Sequence, residues 1–277
     1  MRVRNIVRDL VRVAKQLKQI LVVCFLLLPI SIVSAQDGSS FDPRDLSGVW
    51  GQLPGVGNNF NYGMQTPPPP LTPWGMENLR MESITHPAVG DRTATTTING
   101  VPTNTLGGQY PGKDCEPVAM PGNLDYVAFG PFEFVYSRSG DRIIQMLEYH
   151  REWRNLWLTD EHSEDIYPSY MGDSIAYWEG NTLVVDTIGY NGQIQITQGV
   201  GHRPSDAFHL IERYTRVSYD RLELVMDMYD EKAWGEGESW SGLSKTFAFM
   251  PGERLQEFIC VPSEYAEFDG TLEEVVQ

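Results

Sequence analysis

Two β-rich runs, Ser174–Trp178 and Thr182–Ile188, flank the tight-turn residues Glu179-Gly180-Asn181. Gly180 and Asn181 both tolerate φ > 0, which the right-handed twist of a short hairpin asks of its turn. Ile175, Tyr177, Trp178, Val184, Val185 and Thr187 are the β-branched and aromatic residues that suit a pleated surface. The tract therefore reads as an antiparallel hairpin. Phe132–Ser137, Arg142–His150, Trp153–Thr159, Phe208–Val217, Leu222–Tyr229, Lys245–Met250 and Leu255–Val261 are short runs of the same kind, separated by turn residues such as Ser-Gly-Asp and Pro-Gly-Glu. Regular short strands imply an all-β fold, an antiparallel barrel or sandwich, rather than an α/β one. The chain carries no glycine-rich strand-to-helix fingerprint, which argues against a Rossmann or P-loop nucleotide enzyme.

From Gly51 to about Gly130 the pattern differs. This stretch is rich in Gly, Pro, Asn and Thr around Pro67-Pro68-Pro69-Pro70, and proline has no N–H to give a ladder, so it is excluded from central sheet. The tetraproline predicts polyproline II, and Thr72-Pro73-Trp74 predicts a short helix capped by Thr72 with proline at its first position. Trp74 and Phe60 suggest an arm docked on something apolar. The expected division is 1–35 as a leader, 36–130 as a first strand and Pro/Gly-rich arm, and 131–277 as the barrel core, with arm and core forming one domain.

The leader reading rests on Arg2, Arg4, Arg8, Arg12, Lys15 and Lys18, followed by an apolar stretch from Ile20 to Val33 and by Ser34-Ala35. That order is a secretory signal peptide with cleavage near Ala35, and its apolar part falls short of the roughly 20 residues a bilayer span needs. Cleavage removes six basic residues and one acid, taking the formal net charge from −16 to −21. A field of that sign repels phosphate backbones and anionic lipid, which argues against nucleic-acid partners and membrane-surface binding, and it favours cationic or neutral ligands. Of the three cysteines, Cys24 lies in the leader. Cys115 and Cys260 remain, in what would be an oxidising periplasmic or secreted setting, so a disulfide joining the arm to the last strands is one reading open to the sequence.

Asp45-Leu46-Ser47-Gly48-Val49-Trp50 places a Gly-x-Trp on the first strand. This resembles the calycin entry motif of lipocalins, in which the Trp plugs the closed end of a barrel beneath a basic residue. The resemblance implies a lipocalin-like antiparallel barrel, with Arg254 as the candidate cation over Trp50. Further along, Pro73-Trp74-Gly75, Asp114-Cys115-Glu116-Pro117, Met171-Gly172-Asp173-Ser174-Ile175, Trp178-Glu179-Gly180-Asn181-Thr182-Leu183-Val184-Val185-Asp186-Thr187, Ile211-Glu212-Arg213 and Glu257-Phe258-Ile259-Cys260 occur in order. Together they resemble a large family of uncharacterised secreted bacterial proteins, over most of the mature chain. That resemblance implies kinship without chemistry. The family pattern has His where this chain has Asp173, and His-Ser where it has Pro204-Ser205, which implies an altered site here.

Three groups of residues are candidates for function. In Glu148-Tyr149-His150-Arg151-Glu152-Trp153-Arg154, an extended backbone would put Glu148, His150, Glu152 and Arg154 on one face, where a carboxylate beside an imidazole supports acid–base chemistry. A turn at His150-Arg151 joining two strands is the competing reading. A second group, Asp173, Asp186, His202, Ser205, Asp206, His209 and Glu212, gathers around the hairpin and the next long strand. Ser205 lacks the flanks of a nucleophile elbow, and no histidine spacing supports a metal site. The third group is aromatic, with Trp153, Tyr177, Trp178 and Trp234, joined by His202, as ligand contacts at a barrel mouth. The acidic, glycine-rich loop Asp230–Trp240 would lie at the open end as a lid or rim.

Two functions follow. The first is a secreted, periplasmic lipocalin-like protein binding a small apolar or aromatic molecule. The alternative is a cofactor-independent isomerase, lyase or hydrolase on the same barrel, acting through Glu148, His150, Asp173 or Glu212. Convergence of Glu148, Asp173, His202 and Glu212 on one cavity would favour the enzyme.

Overall fold

The computed structural model describes residues 41–52, 67–78, 95–98, 101–104, 115–125, 130–194, 196 and 204–261. The leader, Phe60 and His202 lie outside the described residues. Alternating apolar positions build nine strands into a closed barrel: β1 (Gly48–Gln52), β4 (Phe132–Tyr136), β5 (Arg142–Leu147), β6 (Trp153–Trp157), β7 (Asp173–Glu179), β8 (Thr182–Ile188), β9 (His209–Ser218), β10 (Arg221–Tyr229) and β11 (Ser239–Phe249). Around the barrel they run β1-β11-β10-β9-β8-β7-β6-β5-β4, and β4 closes on β1. A separate hairpin pairs β2 (Thr95–Ile98) with β3 (Val101–Asn104).

The hairpin from Asp173 to Ile188 forms as the turn chemistry requires. Glu179 pairs with Thr182 across Gly180-Asn181, and Gly180 takes φ 61°. Three features differ from the sequence reading. Leu255–Val261 forms no strand, and β5 stops at Leu147. The barrel is also not wholly antiparallel, because β6 and β7 run parallel through Leu156↔Ser174 and Trp157↔Ile175. A parallel neighbour needs a crossover, so the chain between Trp157 and Asp173 must return along the outside of the wall.

The interior is filled. Trp50, Phe132, Phe134, Leu156, Leu183, Leu210, Tyr214, Leu224, Met226 and Phe247 are each at most 1% exposed and belong to one apolar cluster. Outward positions of β4, β9 and β10 carry Glu133, Arg213, Glu223 and Asp227, giving these strands the in/out alternation of a wall facing water on one side. Burial of that many large side chains, each worth roughly 1.5–3 kcal/mol, is the main force holding the barrel.

At one end, Trp50 donates from Nε1 to Leu46 O at 2.8 Å, and a guanidinium lies 5.2 Å from its ring centroid. The cation is Arg216 at the end of β9, not Arg254, which is exposed. Arg216 also reaches the rings of Phe41, Tyr219 and Phe249, and it donates to Asp45 O and Tyr219 O at 2.6 Å. At the other end the 230–238 loop closes the barrel, a lid whose tryptophan plugs the core rather than an open rim. Trp234 and Trp240 are 3% and 1% exposed and pack edge to face, with Phe208 against Trp234.

Of the arm, the described segment 67–78 packs on this loop. Helix α1 (Pro73–Glu77) starts with the Thr72 side chain accepting from Gly75 N at 3.1 Å, while Thr72 N donates to Ala233 O in the plug. Lys232 lies over the Trp74 ring at 4.9 Å. A second arm segment, with helix α2 (Gly122–Asp125), is tied to the tail by a disulfide between Cys115 and Cys260, whose Cα atoms are 5.6 Å apart.

Candidate functional site

The Glu148–Arg154 run does not stay extended. Tyr149–Arg151 make a 3-10 turn, with His150 and Arg151 at φ 61° and 54°, so the turn between strands is the correct reading of this stretch. The turn disperses the four side chains. Glu148 accepts from Gln256 N at 2.5 Å in the tail. His150 stacks on Phe258 at 5.2 Å with its Nε2 buried, and burial lowers its pKa from 6.5 to about 4. Glu152 turns toward the arm, where it accepts from Val118 N, Ala119 N and Asn123 Nδ2. Burial nevertheless pushes Glu152 up to about 7, against the pull of those three donors.

Only Arg154 points into the barrel. There its Nη2 donates to Glu212 Oε1 at 2.8 Å, its Nε donates to Gln145 Oε1 at 2.8 Å, and Tyr214 donates its hydroxyl to Glu212 Oε1 at 2.7 Å. Ser174 and Thr187 continue the network at 2.9 Å. Burial works against the Arg154 charge, but Glu212 beside it more than compensates and keeps the guanidinium ionised. Burial also pushes the Tyr190 and Tyr214 hydroxyls up, so both stay neutral, and Tyr214 is the one shown donating, to Glu212. The lumen is thus a closed polar knot inside an apolar cylinder, occupied by the protein's own side chains.

On the outer wall the parallel β6–β7 seam makes a different place. A cavity of about 570 Å³ opens there, lined by Asp141, Trp157, Leu158, Glu161, Ser163, Asp173 and Ile175 among others. Ile175 pairs with Asp186 on the outward face yet is only 5% exposed, and Leu158, Thr159, Glu161 and Ser163 of the crossover line the cavity with it. Gly172 lets that crossover close tightly onto the hairpin. It takes φ 66°, and a Cβ there would meet Ile188 O at 2.5 Å.

The crossover carries His162 into a chain of four groups. His162 Nδ1 is 2.8 Å from Asp173 Oδ2, and its Nε2 is 3.2 Å from Asp186 Oδ1. His209 Nε2 reaches the same Asp186 oxygen at 2.8 Å. Burial raises the Asp186 pKa, but the hydrogen bonds and charge of His209 and His162 outweigh it and hold the carboxyl below its ordinary range. Asp141, at the mouth of the cavity, is also held low by the Ser139 and Ser137 hydroxyls. Among the described residues, no group of three or more His, Cys, Asp or Glu is arranged to hold a metal.

Of the described residues among the catalytic and ligand-contact candidates, only Asp173 lines this cavity. Glu212 is in the lumen, while Glu148 and His150 are on the 3-10 turn, so the three do not meet Asp173. Trp153 and Tyr177 stand outward, 58% and 38% exposed. Trp178 lies under Arg44 at 5.6 Å, and Trp234 is in the plug. Ser205 donates its hydroxyl to Asp230 Oδ1 at 2.7 Å as part of a buried loop lock. Nothing in the sequence puts His162 and Trp157 beside Asp173, because what brings them together is the parallel seam. Comparison of the chain with family models, curated proteins and solved structures finds no match.

Proposed function

We propose that this is an exported, lipocalin-like barrel protein that binds a small molecule on its outer wall, in the cavity at the β6–β7 seam. The observation that carries the reading is the pairing of a filled lumen with an outer cavity of about 570 Å³, within the range of small-molecule sites, where Trp157, Leu158 and Ile175 stand among hydroxyl and carboxylate groups. Trp157, Leu158 and Ile175 supply the apolar contact, and Asp141, Glu161 and Asp173 supply orientation. Export is supported by the basic and apolar order of residues 1–35 and by a disulfide, which persists in oxidising compartments. The lipocalin-like reading is supported by Trp50 under Arg216 at one barrel end.

Native mass spectrometry of the protein isolated from its own host tests this. A small-molecule adduct is expected on the wild type and is expected to vanish in Ser163→Trp, which fills the cavity from the exposed crossover. An adduct that survives Ser163→Trp places the ligand elsewhere and defeats the reading.

A second reading, acid–base catalysis without a cofactor, is favoured by one observation: the His162 ring is held between Asp173, which lines the cavity, and Asp186. A carboxylate–imidazole pair beside a cavity can accept and return a proton. Of the four residues first considered for catalysis, only Asp173 lines the cavity. Turnover of a bound ligand that disappears in Asp173→Asn while binding persists would establish it.

A further inference from the structure

We infer that the tail 254–261 is a redox-released strap: the Cys115–Cys260 disulfide holds it over the 3-10 turn, and reduction by a dithiol lifts it and bares the His150 imidazole. This goes beyond the cavity reading and does not depend on it. Among the described residues, four other than glycine take positive φ, Cys115, Ala119, His150 and Arg151, and all four lie where arm, turn and tail meet. Each carries one tie of that junction. Cys115 bonds to Cys260, Ala119 N donates to Glu152 Oε2, the His150 ring stacks on Phe258, and Arg151 Nη1 pairs with Glu257. Left-handed backbone is unfavourable for any residue with a Cβ and persists only where its surroundings enforce it. No non-glycine residue of the barrel strands shares that conformation, so the strain is collected at one junction, which relaxes when a tie is cut.

The disulfide is the tie that decides. Residues 254–261 form no strand, and Arg254, Gln256, Glu257 and Ile259 are exposed. Phe258 meets the rings of Tyr149 and His150 at 5.0 and 5.2 Å, Gln256 N donates to Glu148, and the Arg151–Glu257 pair has side chains 60% and 67% exposed. An ion pair so exposed adds little, and one ring contact does not offset the backbone freedom that a segment of this length loses on ordering. Cys115 and Cys260 are half-buried rather than enclosed. A thiolate of the reductant attacks one of their sulfurs, the S–S bond breaks into a mixed disulfide, and the second thiol of the reductant displaces the protein sulfur. Two electrons and two protons thus pass to Cys115 and Cys260, and the dithiol leaves as a disulfide. The departing tail uncovers His150 Nε2, which is buried without a hydrogen-bond partner, and frees the Glu148 carboxylate at the start of the same turn.

The test labels the intact chain with diethylpyrocarbonate at pH 7 and follows His150 by peptide mass spectrometry. An ordinary imidazole is mostly neutral at that pH and the buried one is neutral too, so the rate reports cover rather than charge. Labelling of the disulfide form is expected to be slow. After dithiothreitol, capping of both thiols with iodoacetamide and removal of the reagents, it is expected to rise roughly tenfold or more, with the His162 and His209 rates unchanged. The double variant Cys115→Ser, Cys260→Ser is expected to react at the fast rate without any reductant, and Phe258→Ala to do so with its disulfide intact. A His150 rate that reduction leaves unchanged overturns the strap, as does a disulfide that dithiothreitol opens only in urea. Equal acceleration at His162 and His209 overturns it too, because reduction would then loosen the barrel as a whole. A slow rate in Phe258→Ala would show that something other than the tail covers the ring.

Discussion

Arg154 Nη2 lies 2.7 Å from Glu212 Oε2 across the barrel lumen, with side chains 2% and 0% exposed, on strands β6 and β9 that are not neighbours in the sheet. Such a pair spans the interior, so its loss leaves a charge with no route to water. Glu212→Ala is expected to cost about 3–5 kcal/mol in urea unfolding, and Arg154→Met with Glu212→Leu together much less, since matched apolar residues remove both desolvation penalties. A single-mutant loss under about 1 kcal/mol would show that water reaches the pair.

How much of this was legible depends on what each feature needs. Hairpin β7–β8, the Thr72 cap and the Gly48-x-Trp50 strand are local, and each carries its own turn or cap chemistry, so residue types alone locate them. Arg216 over Trp50 joins positions far apart through a barrel closure whose register no local pattern encodes. The outer cavity is harder still, because it exists only where β6 meets β7 in parallel, and the run to Asp173 reads as an ordinary loop. Glu212 shows the limit most clearly. Its place on an alternating strand gives its face, while its role as counter-ion of Arg154 depends on which strand lies opposite.

The disulfide joins the arm to the tail across a sequence separation of 145. Closing so long a loop restricts the unfolded chain, and replacing Cys115 and Cys260 by Ser is expected to cost roughly 2–5 kcal/mol in reversible denaturation. The barrel strands themselves are untouched by that change. Hydrogen exchange should therefore rise first in 115–125 and 254–261, and a uniform rise through β7–β10 would contradict the assignment of these two segments as a separable clasp.

Arg216 holds Asp45 O and Tyr219 O with two different guanidinium nitrogens, both at 2.6 Å, while its plane faces aromatic rings. A lysine ammonium has neither the fork nor the plane. Arg216→Lys is thus expected to lose about 1–3 kcal/mol of stability, and Arg254→Lys, on the exposed tail, close to nothing. Equal effects in thermal unfolding would mean that Arg216 contributes only its charge.

Glu152 and His150 stand two residues apart on the 3-10 turn, and burial displaces them in opposite directions, the acid from 4.5 up to about 7 and the imidazole from 6.5 down to about 4. The fold therefore prefers Glu152 protonated. Its contribution is complete below pH 4.5 and is lost as pH rises through 7. The fold also prefers His150 neutral, so that contribution is complete above pH 6.5 and is lost as pH falls through 4. Between pH 4.5 and 6.5 the two dependences oppose each other, and wild-type stability is expected to be nearly level. Removing one partner exposes the other. His150→Asn, chosen because Asn tolerates the φ of 61° found there, should leave stability falling by roughly 3 kcal/mol from pH 4.5 to 7. Glu152→Gln should reverse the sign, with stability rising over the same range. Urea midpoints measured every half unit of pH distinguish the cases. A wild type with a steep slope, or two variants sloping the same way, would show that the turn does not hold these two side chains in the protonation states its burial favours.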